Sequence, residues 1–308
     1  MKTQLAVSAV IPTYNRASYL PQAIDSVLRQ THRVREIIVV DDGSTDDTRQ
    51  VAASYGDLVR YVWRENGGEA AARNTGVQAA TQEWVAFLDS DDMWLPQKIE
   101  AQAEALRAYP DAGLCYCEDG QPDPAGRFEG NAHILPPRPR ETMYRLLLER
   151  SMVGISTIVV RRSLLLQTEP FDTALHWGVD WELIARLARL TDFVEVDQTL
   201  VYYRIHAGSI SNNIDLRVKH GVDALRKIYA DPDAARFRRQ LPRKVSEIIA
   251  DAGTDLYYAG DHVEARRMLV RAIAACPGNR CAWSYLARSL APRPVVSAIR
   301  RRRARLSS

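Results

Sequence analysis

Short apolar runs alternate with amphipathic stretches across the first hundred residues, and this pattern constrains the fold more than any other feature of the chain. Residues 5–11, 36–40, 58–63 and 84–88 read as strands, rich in β-branched and aromatic side chains. Residues 19–28, 45–55, 68–80 and 98–109 carry helical periodicity, the last preceded by Pro96, a residue suited to a helix start. Apolar strands separated by helices bury both faces of a parallel sheet. Such sheets bind ligands beyond the carboxyl ends of their strands.

The unusual polar residues fall at that edge. Strand one ends in Pro12-Thr13-Tyr14-Asn15, strand two in Asp41-Asp42-Gly43-Ser44, and strand four in Asp89-Ser90-Asp91-Asp92. Three carboxylates in four residues repel one another unless a positive partner is present. A hard divalent cation with oxygen ligands, Mg²⁺ or Mn²⁺, is one such partner; a solvated, helix-capping turn is the plainer alternative. Asp41 and Asp42 exceed what capping by Ser44 or Thr45 requires, and a carboxylate there can accept from a nucleobase or ribose. Tyr14 offers a face on which a base can stack. In the glycine-rich turn Asn66-Gly67-Gly68, the backbone can approach a ligand closely, and Arg73 lies one turn into the next helix, within reach of a phosphate.

Further on, residues 118–140 are rich in Pro, Gly and charge and read as an irregular excursion or hairpin. A helix over 142–150, a strand near 156–161, a helix over 180–190 and two strands, 193–196 and 200–205, follow. Asp180, between Trp177 and Trp181, is either an N-cap or a general base able to deprotonate a hydroxyl. His206 lies just past the last strand, as a diphosphate or metal contact or as a plain loop residue. From about residue 213 the pattern is helical only, and residues 216–290 resemble one to one-and-a-half tetratricopeptide-type pairs, fewer than a free-standing solenoid needs. Residues 1–212 and 213–308 are therefore expected to form an α/β domain and a helical appendage with a basic tail.

Composition narrows the classes. A net charge of +3 gives no case for nucleic-acid binding. The spacings of Cys115, Cys117, Cys276 and Cys281 match neither a zinc framework nor a redox pair, which suggests a reducing compartment. Cys115 and Cys117 are expected on one buried face of a strand. The first apolar run is too short for a signal peptide, and no stretch approaches the roughly 20 apolar residues that span a bilayer. A cytoplasmic location is expected, with the run Arg300–Arg303 and Arg305 suited to peripheral contact with an anionic inner-membrane surface.

Taken together, residues 10–16, 39–46, 66–68, 72–76, 87–92 and 180–183 resemble the family 2 glycosyltransferases of GT-A fold. The resemblance covers about the first 210 residues and implies a Rossmann-like, mostly parallel sheet flanked by helices. It implies an inverting transfer from a nucleoside diphosphate sugar, most commonly a uridine one, to a hydroxyl of a glycan, lipid-linked or protein acceptor, as in cell-surface polysaccharide synthesis. Position by position, Asp42 would bind the base beside Pro12, Thr13 and Tyr14. Asp89 and Asp91, flanking Ser90, would form the Asp-x-Asp motif with Asp91 on the metal, Asp180 would be the base, and His206 would sit near the diphosphate. Many members have Glu directly before the base; here it is Val179, and Glu182 is the alternative. The competing classes are a silent sugar-nucleotide-binding or scaffold protein with a partner on its helical tail, and a nucleotidyltransferase. The latter is disfavoured because no glycine- and arginine-rich loop follows strand one.

Overall fold

The computed structural model describes residues 5–122, 133–168, 171–206 and 212–290. The basic run at 300–305 and the middle of the 118–140 excursion lie outside the described residues. The chain divides into two units, 1–210 and 211–308.

The first unit runs β1 (Val7–Thr13), α1 (Leu20–Leu28), β2 (Glu36–Asp41), α2 (Thr48–Ala53), β3 (Arg60–Trp63), α3 (Glu69–Ala79), β4 (Trp84–Phe87), β5 (Met93–Trp94) and α4 (Lys98–Ala108). It continues with β6 (Leu114–Gly120), β7 (His133–Ile134), α5 (Arg140–Glu149), β8 (Val159–Arg161), α6 (Arg162–Gln167), α7 (Val179–Leu187) and β9 (Phe193–Tyr202). The sheet order is β3-β2-β1-β4-β8-β6-β9-β5, with β7 also on β9. The first four strands are parallel, as the alternation implies, so their carboxyl ends share one edge. Beyond them the sheet is mixed: β8 runs antiparallel to both β4 and β6, while β6 and β9 are parallel. β1 is buried along its whole length, which explains its uninterrupted apolar sequence. Gly76 lets α3 lie directly on β1, since a Cβ there would come within 2.2 Å of Val10.

Two expectations need correction. The two strands read at 193–196 and 200–205 are one strand, because the sheet absorbs the polar Asp197-Gln198 step through register shifts in β6. Residues 133–134 of the excursion form β7, which pairs antiparallel with β9. Helix α2 starts at Thr48, not at 45, because Ser44 and Thr45 are bonded elsewhere and the Asp46 carboxylate accepts the Thr48 amide (3.0 Å). Cys115 and Cys117 are buried, as expected.

Lys98 is fully buried at the start of α4, its Nζ donating to Gln102 Oε1 (2.8 Å) and lying 4.3 Å from the centre of the Trp94 ring. Burial lowers its pKa to about 8. The unfolded chain keeps this lysine protonated up to about pH 10.4, so between those values the unfolded state binds the extra proton and stability rises with pH. Urea melts from pH 8 to 10 should show stability rising about 1 kcal/mol per pH unit more steeply in the wild type than in Lys98→Met. Equal slopes would contradict the shift.

The second unit is α8 (Ile214–Ala230), a 3₁₀ stretch (Pro232–Gln240), α9 (Leu241–Ala259), α10 (His262–Ala275) and α11 (Arg280–Leu290). Its core joins Val218 and Val222 to Ile249, Met268, Leu269 and Ala282. The sequence Gly260-Asp261 makes the corner: Gly260 ends α9 in a left-handed conformation, and the Asp261 side chain accepts the Glu264 amide to start α10. Among the described residues no helix is long and apolar enough to cross a membrane.

Candidate functional site

The polar termini of β1, β2 and β4 meet at the shared sheet edge. The loop after β1 is stitched to the loop after β2: the Asn15 amide donates to Ser44 Oγ (2.9 Å), and Asn15 Oδ1 accepts the Thr45 amide (2.8 Å). Asn15 takes positive φ to do so, a conformation asparagine tolerates. Pro12 and Thr13 are buried at the end of β1, and Thr13 Oγ1 is a buried polar atom without a hydrogen-bond partner. Tyr14 beside it is 47% exposed, leaving a ring face open to solvent.

Asp41 and Asp42 divide the work. Asp41 is internal, accepting from the Ser44 amide (2.8 Å) and Tyr61 Oη (2.6 Å). Asp42 gathers the loop before α3: it accepts the amides of Gly67 (3.1 Å) and Gly68 (2.7 Å) and pairs with Arg64. Gly68 has φ of +88°, so the chain turns sharply enough to aim both amides at one carboxylate. Arg64 has no signature in the sequence that would have singled it out.

One turn into α3, Arg73 is 2% exposed, pairing with Glu69 and donating from Nη2 to Asp89 Oδ1 (2.7 Å). Its charge also acts on Asp180. The guanidinium is thus engaged by the Glu69 and Asp89 carboxylates. Burial raises the Asp180 pKa, with Arg73 opposing. Glu69 is pushed up to about 7 by desolvation against the same opposition, although its side chain is 36% exposed. Asp180 does not cap α7: that position is Gly178, in the left-handed region, and Asp180 Oδ1 accepts the Trp181 amide (2.8 Å). Glu182 is occupied by Arg186, which binds it through Nε and Nη2, both at 2.8 Å, so it is not a free substitute for Asp180.

The acidic turn after β4 does not cap a helix either, since β5 follows it. The Asp89 amide donates to Ser156 Oγ (3.1 Å), and Ser156 Oγ donates to Asp92 Oδ2 (2.8 Å). Asp92 also accepts the Arg204 amide (3.1 Å), and burial, with Asp89 nearby, pushes its pKa up to about 8. Asp92 therefore organises the turn. Ser90 is buried within it. Asp91 faces the other way: its Oδ2 lies 2.8 Å from His206 Nε2 and 3.7 Å from Arg16 Nε. His206 in turn stacks on Tyr19, ring centres 4.9 Å apart, and Arg204 Nε donates to the Asp91 carbonyl (2.8 Å). Sequence reasoning missed Ser156 and the part played by Arg204, whose partners in the acidic turn lie 64 or more positions away.

Among the described residues no three His, Cys, Asp or Glu side chains form a metal cage. Asp91 and His206 nevertheless present a hard oxygen and an imidazole nitrogen side by side. Two protein ligands completed by substrate phosphate oxygens is a usual arrangement for Mg²⁺ or Mn²⁺. The donor set fits such an ion.

Solved glycosyltransferase structures share this α/β fold. The chain belongs to glycosyl transferase family 2, whose pattern matches residues 8–167. The uncharacterized glycosyltransferase RP339 of Rickettsia prowazekii is 32% identical over 212 residues, 67% of this chain and 66% of that one, so the match spans just under two thirds of that relative. S. aureus TarS 1-349 in complex with UDP-GlcNAc superposes with a TM-score of 0.64 at 19% identity, covering 96% of this chain and 92% of that one. Mannosyltransferase PcManGT from Pyrobaculum calidifontis, in complex with GDP-Man and Mn²⁺, superposes with a TM-score of 0.58 at 22% identity, covering 95% and 86%. These two likenesses are of fold.

Proposed function

We propose that residues 1–212 form the catalytic domain of an inverting glycosyltransferase. It takes a sugar from a nucleoside diphosphate, uridine diphosphate by preference, and passes it to a hydroxyl of a glycan, lipid-linked or protein acceptor in cell-surface polysaccharide synthesis. The observation that carries this reading is the pairing of two subsites across the start of α3. Asp42 with the Gly67–Gly68 amides lies on one side, and Asp89 and Asp180, held around Arg73, lie on the other. Thr13 Oγ1, Tyr14 and the Asp42 carboxylate would receive the nucleoside. Asp180 would accept the proton of the acceptor hydroxyl as its oxygen attacks the anomeric carbon. The bond from that carbon to the diphosphate oxygen breaks, and the leaving group carries away the electron pair. Asp91 and His206, beside Asp89, would hold a divalent cation, which would neutralise charge on the diphosphate.

The experiment is nucleotide release from a panel of nucleoside diphosphate sugars with and without Mn²⁺. Asp91→Ala is expected to weaken metal-dependent donor binding by about tenfold or more, read by titration calorimetry. Donor turnover that ignores both metal and Asp91 would refute the metal assignment, and no turnover of any donor would favour a silent binding protein. The helical unit at 213–308 is proposed as a surface for a partner or self-association. Its six arginines between 293 and 305 would add attraction to anionic lipid at the cytoplasmic face.

A further inference from the structure

Residues 171–179, leading into α7, are held at both ends. Asn74, on α3, donates from Nδ2 to the Phe171 carbonyl (2.9 Å) and accepts the Phe171 amide at Oδ1 (2.8 Å). The Phe171 ring packs edge-on against Phe87, centres 5.4 Å apart, with the Arg73 guanidinium 5.7 Å away. Asp172 then closes a turn, taking the Ala174 amide at Oδ1 (2.9 Å) and the Leu175 amide at its carbonyl (3.1 Å). Leu175 and Val179 are each 3% exposed.

Between these two buried anchors His176 is exposed. It lies over the first residue before α3: a Cβ built on Gly68 would be 3.8 Å from His176 Nδ1. The Gly68 amide holds Asp42, and the turn that follows holds Asp89 and lies beside Asp180. His176 therefore stands over the junction of the two subsites and four residues before the proposed base. A sugar joined to a nucleotide on one side and attacked beside Asp180 on the other has to cross this junction.

We infer that His176 contacts a hydroxyl of the transferred sugar and helps set which sugar is accepted; the inference rests on the donor reading above. A neutral imidazole presents one donor and one acceptor, which suits a sugar hydroxyl. Anchors on both sides of the residue reduce the ordering cost of making the contact. A site built around such a polar contact discriminates strongly against a donor that lacks it.

The test compares UDP-GlcNAc with UDP, and GDP-Man with GDP, binding to wild type, His176→Ala and His176→Gln in the presence of Mn²⁺. His176→Ala is expected to weaken the bound sugar nucleotide by about tenfold while leaving the matching free diphosphate within about twofold. His176→Gln, which keeps a donor and an acceptor, is expected to recover part of the loss. His176 is exposed, so neither variant should unfold. Equal loss for sugar nucleotide and free diphosphate would place His176 on the diphosphate and overturn the inference, as would no loss at all. If wild type binds the free diphosphates but neither sugar nucleotide, the inference fails while a nucleotide site survives. If it binds none of the four, the donor reading itself has failed.

Discussion

Asp180→Asn is expected to bind donor as tightly as wild type and to lose turnover by about 10³-fold, the middle of the range for general-base catalysis. The substitution keeps the side chain's shape and the Oδ1 that accepts the Trp181 amide, so α7 should keep its start. What it removes is the ability to take a proton. The wild-type environment suits that task, because burial raises the Asp180 pKa from its ordinary value while Arg73 favours the ionised form. The base works deprotonated, so kcat/KM should rise with pH through an acid limb shifted upward from that of an ordinary aspartate. Full turnover by Asp180→Asn, or an acid limb unchanged by it, would remove Asp180 from the chemistry. Glu182 is a poor replacement since both of its oxygens are bonded to Arg186.

Arg73→Met should produce the largest loss of stability of any single change at the site. It leaves Glu69, Asp89 and Asp180 facing one another without their shared cation, and removing one member of a buried charge cluster costs about 3–5 kcal/mol. For a unit of this size the midpoint of thermal unfolding should fall by roughly 6–20 °C. Arg73→Lys should recover only part of this, because an ammonium lacks the planar fork that reaches two carboxylates. Adding Glu69→Gln to Arg73→Met should restore some stability by removing one of the stranded charges, an effect that mere loss of packing would not give. In any variant that folds, the acid limb should move to higher pH, since Asp180 has lost the charge that stabilises its ionised form. A melting point unchanged in Arg73→Met would show that solvent, not Arg73, compensates these carboxylates.

The half of the site built from residues 12–92 was legible because strand periodicity alone places its loops on one edge. Tyr14, Asp42, Asp89 and Asp91 then needed no tertiary information to be brought together. What the sequence concealed are the partners that give these groups their state. Arg64 on Asp42, Ser156 between Asp89 and Asp92, and Arg204 under Asp91 are recruited across long separations by sheet order, which periodicity does not encode. Arg73 illustrates the limit: its place one turn into α3 was readable, but its burial against carboxylates was not. The single long β9 was misread for a related reason, since a polar step inside a strand looks like a turn until its neighbour's register is known. His176 carried no local signal at all; its significance comes from the Asn74–Phe171 clip and the position of Gly68.

The pairing of β5 with β9 also has a consequence for how the protein is made. The strand that follows the acidic turn has β9 as its neighbour, and Asp91 and Asp92 take contacts from residues 204 and 206 as well as from Arg16 and Ser156. A nascent chain that has emerged only through α4 already holds the residues proposed for the nucleoside, together with Arg16 and Arg73, yet it lacks Ser156, Arg204 and His206. Ligation across more than a hundred positions means high contact order and slow closure. On the ribosome, the contacts of Asp42 with Gly67 and Gly68 can thus form well before the acidic turn is locked, so the two halves of the proposed site would be completed at different stages of synthesis.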